Sequence, residues 1–280
     1  MKLPKINLDA LGQTKESVFE YNWKDVILYA LGIGAQPEEL PFLYEWNPGG
    51  VKVFPSFAVI AGENAAPLEK LGKIDFSRYI HGEQYIKLYR PFPSQGKIKR
   101  VGTITHIYDK GKTAVIHSLR QGFTEGGEHI FDAKWIHVYL DAGGFGGDPG
   151  PKSEPINPPE GVAPDFSISY RVSENQAAIY RLSGDFNPLH IDPEFASRSG
   201  RFRAPILHGL CTYGYATRAI LYGACDGDIS RFKEFSARFS SPVYPGDTLT
   251  IEGWKEKDRY IIQAHTGQNI VISNSYAVVE

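Results

Sequence analysis

Residues 143–164 read GGFGGDPGPKSEPINPPEGVAP and stand at the middle of a 280-residue chain. Six glycines and six prolines in these 22 residues leave few backbone donors and no periodic apolar face. We interpret the stretch as a linker, extended or loosely draped, between two flanks that are each about the size of a small domain. The predicted organisation is an N-terminal unit at 1–142, the linker at 143–164 and a C-terminal unit at 165–280.

The two flanks repeat short patterns at a nearly constant offset. Tyr29–Leu31 is echoed by Tyr180–Leu182, 151 residues later, and Gly96, after a proline-rich turn, is echoed by Gly246, 150 residues later. Two matches at nearly one offset indicate an old duplication, although short Pro/Gly turns can also coincide by chance.

Each flank has helical turns followed by strands. Leu207–Gly223 is long, apolar and interrupted by one charge, Arg218, so it predicts a buried helix. Thr248–Glu252 alternates polar and apolar residues, as a half-buried strand does. The predicted strands are Glu83–Tyr89, Lys97–Tyr108, Thr113–Phe123, Ile130–Leu140, Phe232–Ser240, Asp247–Trp254, Arg259–His265 and Ile270–Val279. A helix followed by consecutive strands predicts an α+β unit with an antiparallel sheet, here present twice.

Composition excludes several classes of protein. Thirty Lys and Arg against 32 Asp and Glu give a net charge of −2, which is too little positive charge for nucleic acid to be the main partner. The longest uncharged apolar stretch, Val26–Ala35, is far shorter than the ~20 residues that a membrane span needs. The first twelve residues lack the apolar core of a secretory signal. Cys211 and Cys225 are interpreted as buried thiols, which favours a reducing compartment.

The segment Tyr180–Ala196, YRLSGDFNPLHIDPEFA, is the densest in functional side chains. It places Asp185, Asn187 and His190 within six residues, around a glycine and a proline that prevent a regular helix. A turn can direct a carboxylate, an amide and an imidazole at one point, and these groups can activate a water molecule. Each residue also has a local interpretation: Asp185 could form an Asx turn, Asn187 could open a turn, and His190 could be a core histidine.

A second polar cluster opens the apolar helix. In Ala204–Leu210, APILHGL, a proline and a His-Gly pair precede the apolar run. Backbone N–H groups at a helix start can bind an anion, and Gly209 would let a ligand oxygen approach closely. The Gly209 amide is therefore the candidate oxyanion donor, although a glycine here could also serve a close helix–strand contact.

The segment Tyr180–His190 is similar to the hydratase 2 motif of (R)-specific 2-enoyl-CoA hydratases, in the MaoC-like group of hot-dog proteins. Further segments resemble the hydratase domain of type 2 peroxisomal multifunctional enzymes: His81–Tyr85, Asp109–Gly111, Gly143–Gly147 and Ile206–Leu210. The resemblance implies a double hot-dog fold, with two helix-wrapped antiparallel repeats, of which only the second keeps the catalytic motif. It also implies that the degenerate first repeat binds the acyl chain.

The activity implied by the resemblance is reversible syn hydration of trans-2-enoyl-CoA to (3R)-3-hydroxyacyl-CoA in fatty acid β-oxidation. Asp185 and His190 would be the catalytic pair, Asn187 would orient the water, and the Gly209 amide would stabilise the thioester oxygen. The substrate-binding residues would be His81, Gly82, Lys110, Arg181 and Phe239, with Lys110 near a CoA phosphate and Glu45 in a supporting role. The resemblance implies no metal and no cofactor, because coenzyme A is part of the substrate. It also implies a homodimer.

Several alternatives stay open at this point. A related acyl-CoA thioesterase or a non-catalytic acyl-CoA-binding hot-dog protein would share the pocket. A metal-dependent hydrolase could use Asp185, His190, Asp192 and His208, although no HExxH or Cys pair is present. The chain ends AVVE, not in a peroxisomal Ser-Lys-Leu signal. We expect a cytoplasmic location for a free-standing bacterial-type enzyme and the peroxisomal matrix for an excised eukaryotic domain.

Overall fold

The computed structural model describes residues 6–198 and 200–280, which contain one ten-stranded sheet. The strands are β1 Thr14–Tyr21, β2 Tyr79–Leu88, β3 Gly96–Asp109, β4 Ala114–Phe123, β5 His129–Tyr139, β6 Phe166–Arg171, β7 Phe232–Phe239, β8 Thr248–Glu256, β9 Arg259–Thr266 and β10 Asn269–Val279. Their order is β1-β3-β4-β5-β2-β7-β10-β9-β8-β6, and all neighbours are antiparallel.

The strand order is symmetric about its centre. Each strand of the first half has a counterpart five numbers higher at the mirrored position, and β2 pairs with β7 where the halves meet. This arrangement confirms the double hot-dog fold and agrees with the inferred duplication. The two predicted units share one continuous sheet, because β2 and β7 exchange backbone hydrogen bonds from Glu83–Arg238 to Lys87–Glu234.

The α-helices lie between these strands in the chain: α1 Trp23–Gly32, α2 Ala58–Ala61, α3 Gln176–Tyr180, α4 Pro193–Arg198 and α5 Gly209–Ala224. Short 3-10 helices occupy Leu8–Ala10, Pro37–Phe42, Pro55–Phe57, Leu68–Leu71, Arg181–Ser183, Pro188–His190 and Ile229–Arg231. Among the described residues, no helix is long and apolar enough to cross a membrane.

The central helix of the second repeat, α5, confirms the predicted buried helix and begins two residues later than predicted. Nearly every residue of α5 is buried, because its apolar side chains surround the helix rather than forming one stripe. Arg218, the one charge in the run, is also buried and pairs with Glu39 of the first repeat. A single helix therefore joins the interiors of both repeats.

The first repeat has far less helix at the matching place. The offset of 151 aligns Gly209 with Ala58, where α2 has four residues and ends at Ala61. The chain after α2 lies directly on the sheet, since a Cβ on Gly102 of β3 would be 2.3 Å from the Ala65 carbonyl oxygen. Less of the inner face of the first repeat is therefore covered by helix than in the second.

Residues 143–164, the predicted linker, contain no helix or strand, but they are not loosely draped. The backbone amides of Gly144 and Gly146 donate to the Asp109 carboxylate at 2.9 and 2.7 Å, and these bonds lower the Asp109 pKa. Further along, the Val162 carbonyl accepts from the indole of Trp254 at 2.9 Å. Of the two forms that the sequence left open, extended or loosely draped, these contacts favour the extended one, because glycine amides free of side chains can surround a carboxylate.

Candidate active site

The motif that begins at Tyr180 contains a sharp change of chain direction. Helix α3 ends at Tyr180, a 3-10 turn covers Arg181–Ser183, and Gly184 follows with a φ of +131°. This backbone conformation strongly favours glycine, because an L side chain would be strained there. Asp185 is thereby directed away from the axis of α3, and the prediction that no regular helix runs through the motif is confirmed.

Asp185 and Asn187 are held by local hydrogen bonds. The Asn187 amide donates to Asp185 Oδ1 at 3.1 Å, and Asn187 Oδ1 accepts from the Leu189 amide at 3.0 Å. The local interpretations of both residues are therefore correct, and these bonds also fix the two side chains. Because the Asn187 oxygen caps the turn, its Nδ2 group is the part that could contact a water molecule.

His190 is buried, with 8% of its surface exposed, and is fixed by one hydrogen bond from Nδ1 to the Ile206 carbonyl at 2.9 Å. A carbonyl only accepts, so Nδ1 carries the hydrogen and Nε2 has the lone pair. Burial lowers the His190 pKa, although the Asp185 charge opposes this effect. His190 is therefore a neutral base at pH 7, with Nε2 as the atom that can accept a proton.

His208 completes the cluster. Its ring stacks on His190 at a centroid distance of 3.8 Å, and its Nε2 donates to the Asp185 carbonyl at 3.2 Å. Burial and the neighbouring His190 lower the His208 pKa to about 2, so His208 stays neutral. One ligand atom from each of Asp185, His190 and His208 lies within 4.8 Å of the others. The sequence indicated His208 as part of the helix-opening segment, but not that it supports Asp185.

Gly209 is the first residue of α5, where backbone N–H groups have no partner within the helix. A Cβ at this position would lie 3.5 Å from the Phe239 ring, so that ring flanks the helix start. Phe239 in turn meets His81 edge to face at 5.2 Å. Burial lowers the His81 pKa to about 3, so His81 is neutral as well. The structure thus brings together three predicted residues: Gly209, Phe239 and His81.

Two other predicted residues lie beside this group. Arg181 stacks on the Phe186 ring at 5.1 Å, and its charge contributes to the low pKa of His208. Gly82 lies at the bulge of β2, where a Cβ would be 3.0 Å from Val138, so a larger residue would push on β5.

Lys110 and Glu45 are the two remaining predicted residues. Lys110 lies in the β3–β4 turn, exposed, and donates to the Pro151 carbonyl at 3.2 Å. Glu45 is half-buried in the segment after Pro37–Phe42. Across residues 6–198 and 200–280, no hydrogen bond or ion pair joins either side chain to Asp185 or His190, and their roles stay predictions.

The residues proposed for a metal-dependent hydrolase are only partly together. Asp192 accepts from the Glu194 and Phe195 amides at 2.9 and 3.2 Å and caps α4, away from the ring atoms of the cluster. Asp185, His190 and His208 alone are close enough to share an ion. Asp185 and His190 can act as acid and base without an ion, so a chelator is the direct test.

Comparison with known proteins identifies the family. The family model described as MFE-2 hydratase 2 N-terminal domain matches residues 19–139, and that described as MaoC like domain matches residues 156–276. A probable enoyl-CoA hydratase 2 from Dictyostelium discoideum is 40% identical over 93% of this chain and 92% of its own length. The chain belongs to the MaoC-like hydratase 2 family.

Two further comparisons agree with this family. The peroxisomal multifunctional enzyme type 2 of Mus musculus is 41% identical over 89% of this chain, which spans only 35% of that longer protein. The crystal structure of a MaoC-like dehydratase from Phytophthora capsici is 31% identical, with a TM-score of 0.88 over 98% of both chains.

Proposed function

We propose that the chain is a hydro-lyase that reversibly adds water to trans-2-enoyl-CoA and forms (3R)-3-hydroxyacyl-CoA in β-oxidation. The observation that carries the proposal is the neutral His190, with Nε2 unprotonated, beside Asp185 and close to the helix that begins at Gly209. A base, a carboxyl group and a backbone oxyanion donor are the parts that hydration of an enoyl thioester requires.

In the proposed reaction, the Gly209 amide donates to the thioester oxygen, and the positive end of α5 stabilises the enolate that develops there. A water molecule is held by Asp185 and by Nδ2 of Asn187. Its oxygen attacks C3 while His190 Nε2 takes one of its protons. That proton passes through the Asp185 carboxylate to C2, so water is added in full and both side chains return to their starting states. Both additions occur on one face of the double bond, which gives syn hydration.

Substrate binding, assembly and location belong to the same proposal. His81, Gly82, Phe239 and Arg181 would line the acyl and thioester path, and Lys110 would meet a CoA phosphate. The chain would form a homodimer. It would act in the cytoplasm or in the peroxisomal matrix according to its source, and relatives named peroxisomal support the second. No metal or cofactor besides the CoA of the substrate takes part.

Hydration of crotonyl-CoA and trans-2-decenoyl-CoA, followed by loss of the enoyl-thioester absorbance, tests the proposal. We expect product that a (3R)-specific dehydrogenase oxidises, and the same rate after dialysis against a chelator. Release of free CoA thiol would instead identify a thioesterase. Tight acyl-CoA binding without absorbance loss would identify a binding protein. A (3S) product would mean that the water lies on the other face.

The pH dependence of kcat/KM follows from His190. Since burial lowers its pKa below 6.5, the base stays neutral through pH 7 and down to the lowered pKa. We expect kcat/KM to hold its neutral-pH value at pH 6.5 and to fall at lower pH, as His190 takes up a proton.

Thermal unfolding at each pH is the control for this pH profile, because His208 and His81 are also buried and neutral. Their low folded-state pKa values mean that stability is lost as pH falls below 6.5. An acid limb that begins above pH 7 would contradict the assignment.

A further inference from the structure

The interior of the first repeat contains a layer of polar side chains between two hydrophobic clusters. One cluster is continuous with α5 and includes Phe131 and Ala133, and the other includes Ile104 and Ile116. The side chains between them form what we call the polar layer: Tyr79, His81, Ser118, Arg120 and His137. Along β4, the buried positions change from apolar to polar: Ala114 and Ile116 are followed by Ser118 and Arg120.

Arg120 is the main feature of the polar layer. Its side chain is 3% exposed, its guanidinium carbon lies 3.8 Å from the centre of the Trp135 ring, and Nη1 donates to Ser118 Oγ at 2.9 Å. Burial lowers the Arg120 pKa to about 10, so the group keeps its charge at neutral pH. Within the described part of the chain, no carboxylate forms an ion pair with Arg120 and Nε has no hydrogen-bond partner.

A buried guanidinium without a direct counterion is costly, since it has lost its water and gained no anion. The apolar residues on either side show that this part of the repeat can be filled by hydrophobic packing. The arrangement is therefore explained best by a ligand that brings a negative group to Arg120.

The neighbours of Arg120 fit the same ligand. His137 is 8% exposed, stacks on Tyr79 at 4.5 Å and meets His81 at 5.1 Å. Both histidines are neutral, because burial and the Arg120 charge lower their pKa values. Among the described residues, His137 Nδ1 and the Tyr79 hydroxyl have no hydrogen-bond partner. Neutral groups of this kind can hold a polar ligand without competing with it for Arg120.

Glu63, just after α2, is the acidic residue whose charge acts on Arg120. Its carboxyl interacts electrostatically with Arg120 and with Asp185, and burial raises its pKa. Burial opposes the charged form of Glu63, while the Arg120 charge favours it. The polar layer itself contains no acidic side chain, and Arg120 Nε is available to an anion that enters it.

The polar layer adjoins the site already described. From the start of α5, the Phe239 ring flanks Gly209, Phe239 meets His81 edge to face, and His81 meets Trp135 at a ring distance of 6.2 Å. The Arg120 guanidinium lies over the face of the Trp135 ring. This row of side chains marks the route along which an acyl chain would run if its thioester lies at Gly209 and its far end reaches Arg120.

We propose that the polar layer binds a carboxylate at the far end of the acyl chain, so that the substrates include CoA monothioesters of trans-2-enedioic acids. The inference rests on the proposed hydratase function and names its substrate class. Arg120 would bind the carboxylate, while Tyr79 and His137 would supply hydrogen bonds. Arg120 would determine specificity without touching the reacting atoms.

The test compares kcat/KM for matched pairs of substrates that differ only in the terminal group: octenoyl- and octenedioyl-CoA, decenoyl- and decenedioyl-CoA, dodecenoyl- and dodecenedioyl-CoA. At one chain length or more, we expect the dioyl substrate to exceed its methyl-ended partner by about tenfold or more, as a charge-assisted hydrogen bond allows. Arg120→Met is expected to reverse this ratio and to keep hydration of the methyl-ended substrate. Arg259→Met, on the surface, should leave the ratio unchanged.

Outcomes of this test separate the two proposals. Preference for the methyl-ended substrate at every length in the unaltered protein would overturn the carboxylate site and leave the hydratase function standing. If neither series is hydrated, the hydratase function fails, and calorimetry still decides the site. Saturated decanedioyl-CoA should then bind about tenfold more tightly than decanoyl-CoA, and equal affinities would overturn the proposal. This binding comparison also applies if Arg120→Met does not fold.

Discussion

Replacing Asp185 with asparagine is expected to lower kcat for hydration of trans-2-decenoyl-CoA by a factor of about 10² to 10⁴. Asparagine has nearly the same shape, and its side-chain oxygen can still accept from the Asn187 amide, so the turn should persist. The amide group can neither take up nor return a proton at C2. The loss should therefore appear in kcat, while KM and the melting temperature should change little.

A matched control lies in the same segment. Asp192 is exposed and accepts two backbone N–H groups at the start of α4, where asparagine is an equally good cap. Asp192→Asn should keep full activity, because the Asp192 carboxylate takes no part in the proposed acid–base chemistry. His190→Gln should lose activity to a similar degree as Asp185→Asn, because it removes the base. Activity of Asp185→Asn within a few-fold of the unaltered protein, with acyl-CoA binding retained, would exclude the proposed role.

The strands were predictable because alternation records which face of a sheet is buried. The prediction for β4 began one residue early, at Thr113, and ended at the observed residue. The outer strands β1 and β6 were not predicted. Each pairs with one neighbour only, and β1 exposes most of its residues, including 60% of Val18, so the apolar signal that marks a buried strand is weak there.

The candidate site was predictable only where its residues are close in sequence. Asp185 and His190 lie in one turn, and the turn residues between them predicted that the two side chains point toward one place. His208 supports Asp185 from 23 positions away, and Glu63 comes from the other repeat. No local pattern relates residues that only folding brings together. Arg120 is an exception, since the alternation of β4 from Ala114 onward would have placed it inward.

The buried ion pair of Arg218 also could not be predicted from the sequence. Arg218 was visible as the one charge in an apolar helix, but its partner is 179 residues away, and Glu45 was the glutamate that the resemblance indicated. Arg218 donates from Nε to Glu39 Oε1 at 3.0 Å, from Nη2 to the second oxygen, and from Nη1 to the Ile33 carbonyl at 3.0 Å. Its guanidinium also lies 4.4 Å from the centre of the Tyr170 ring.

Replacing Glu39 with glutamine is therefore expected to lower the free energy of unfolding by about 3–5 kcal/mol, because it leaves the Arg218 charge buried without its counterion. Glu256→Gln is the matched control: its partner Arg259 is on the surface, and we expect a loss of about 1 kcal/mol or less. Urea denaturation followed by tryptophan fluorescence measures both. Removing both charges together, in Glu39→Leu with Arg218→Met, should recover much of the loss, since no unpaired charge then stays buried. Equal, small losses for the two glutamine variants would show that water reaches Arg218 and that the pair does not hold the two repeats together.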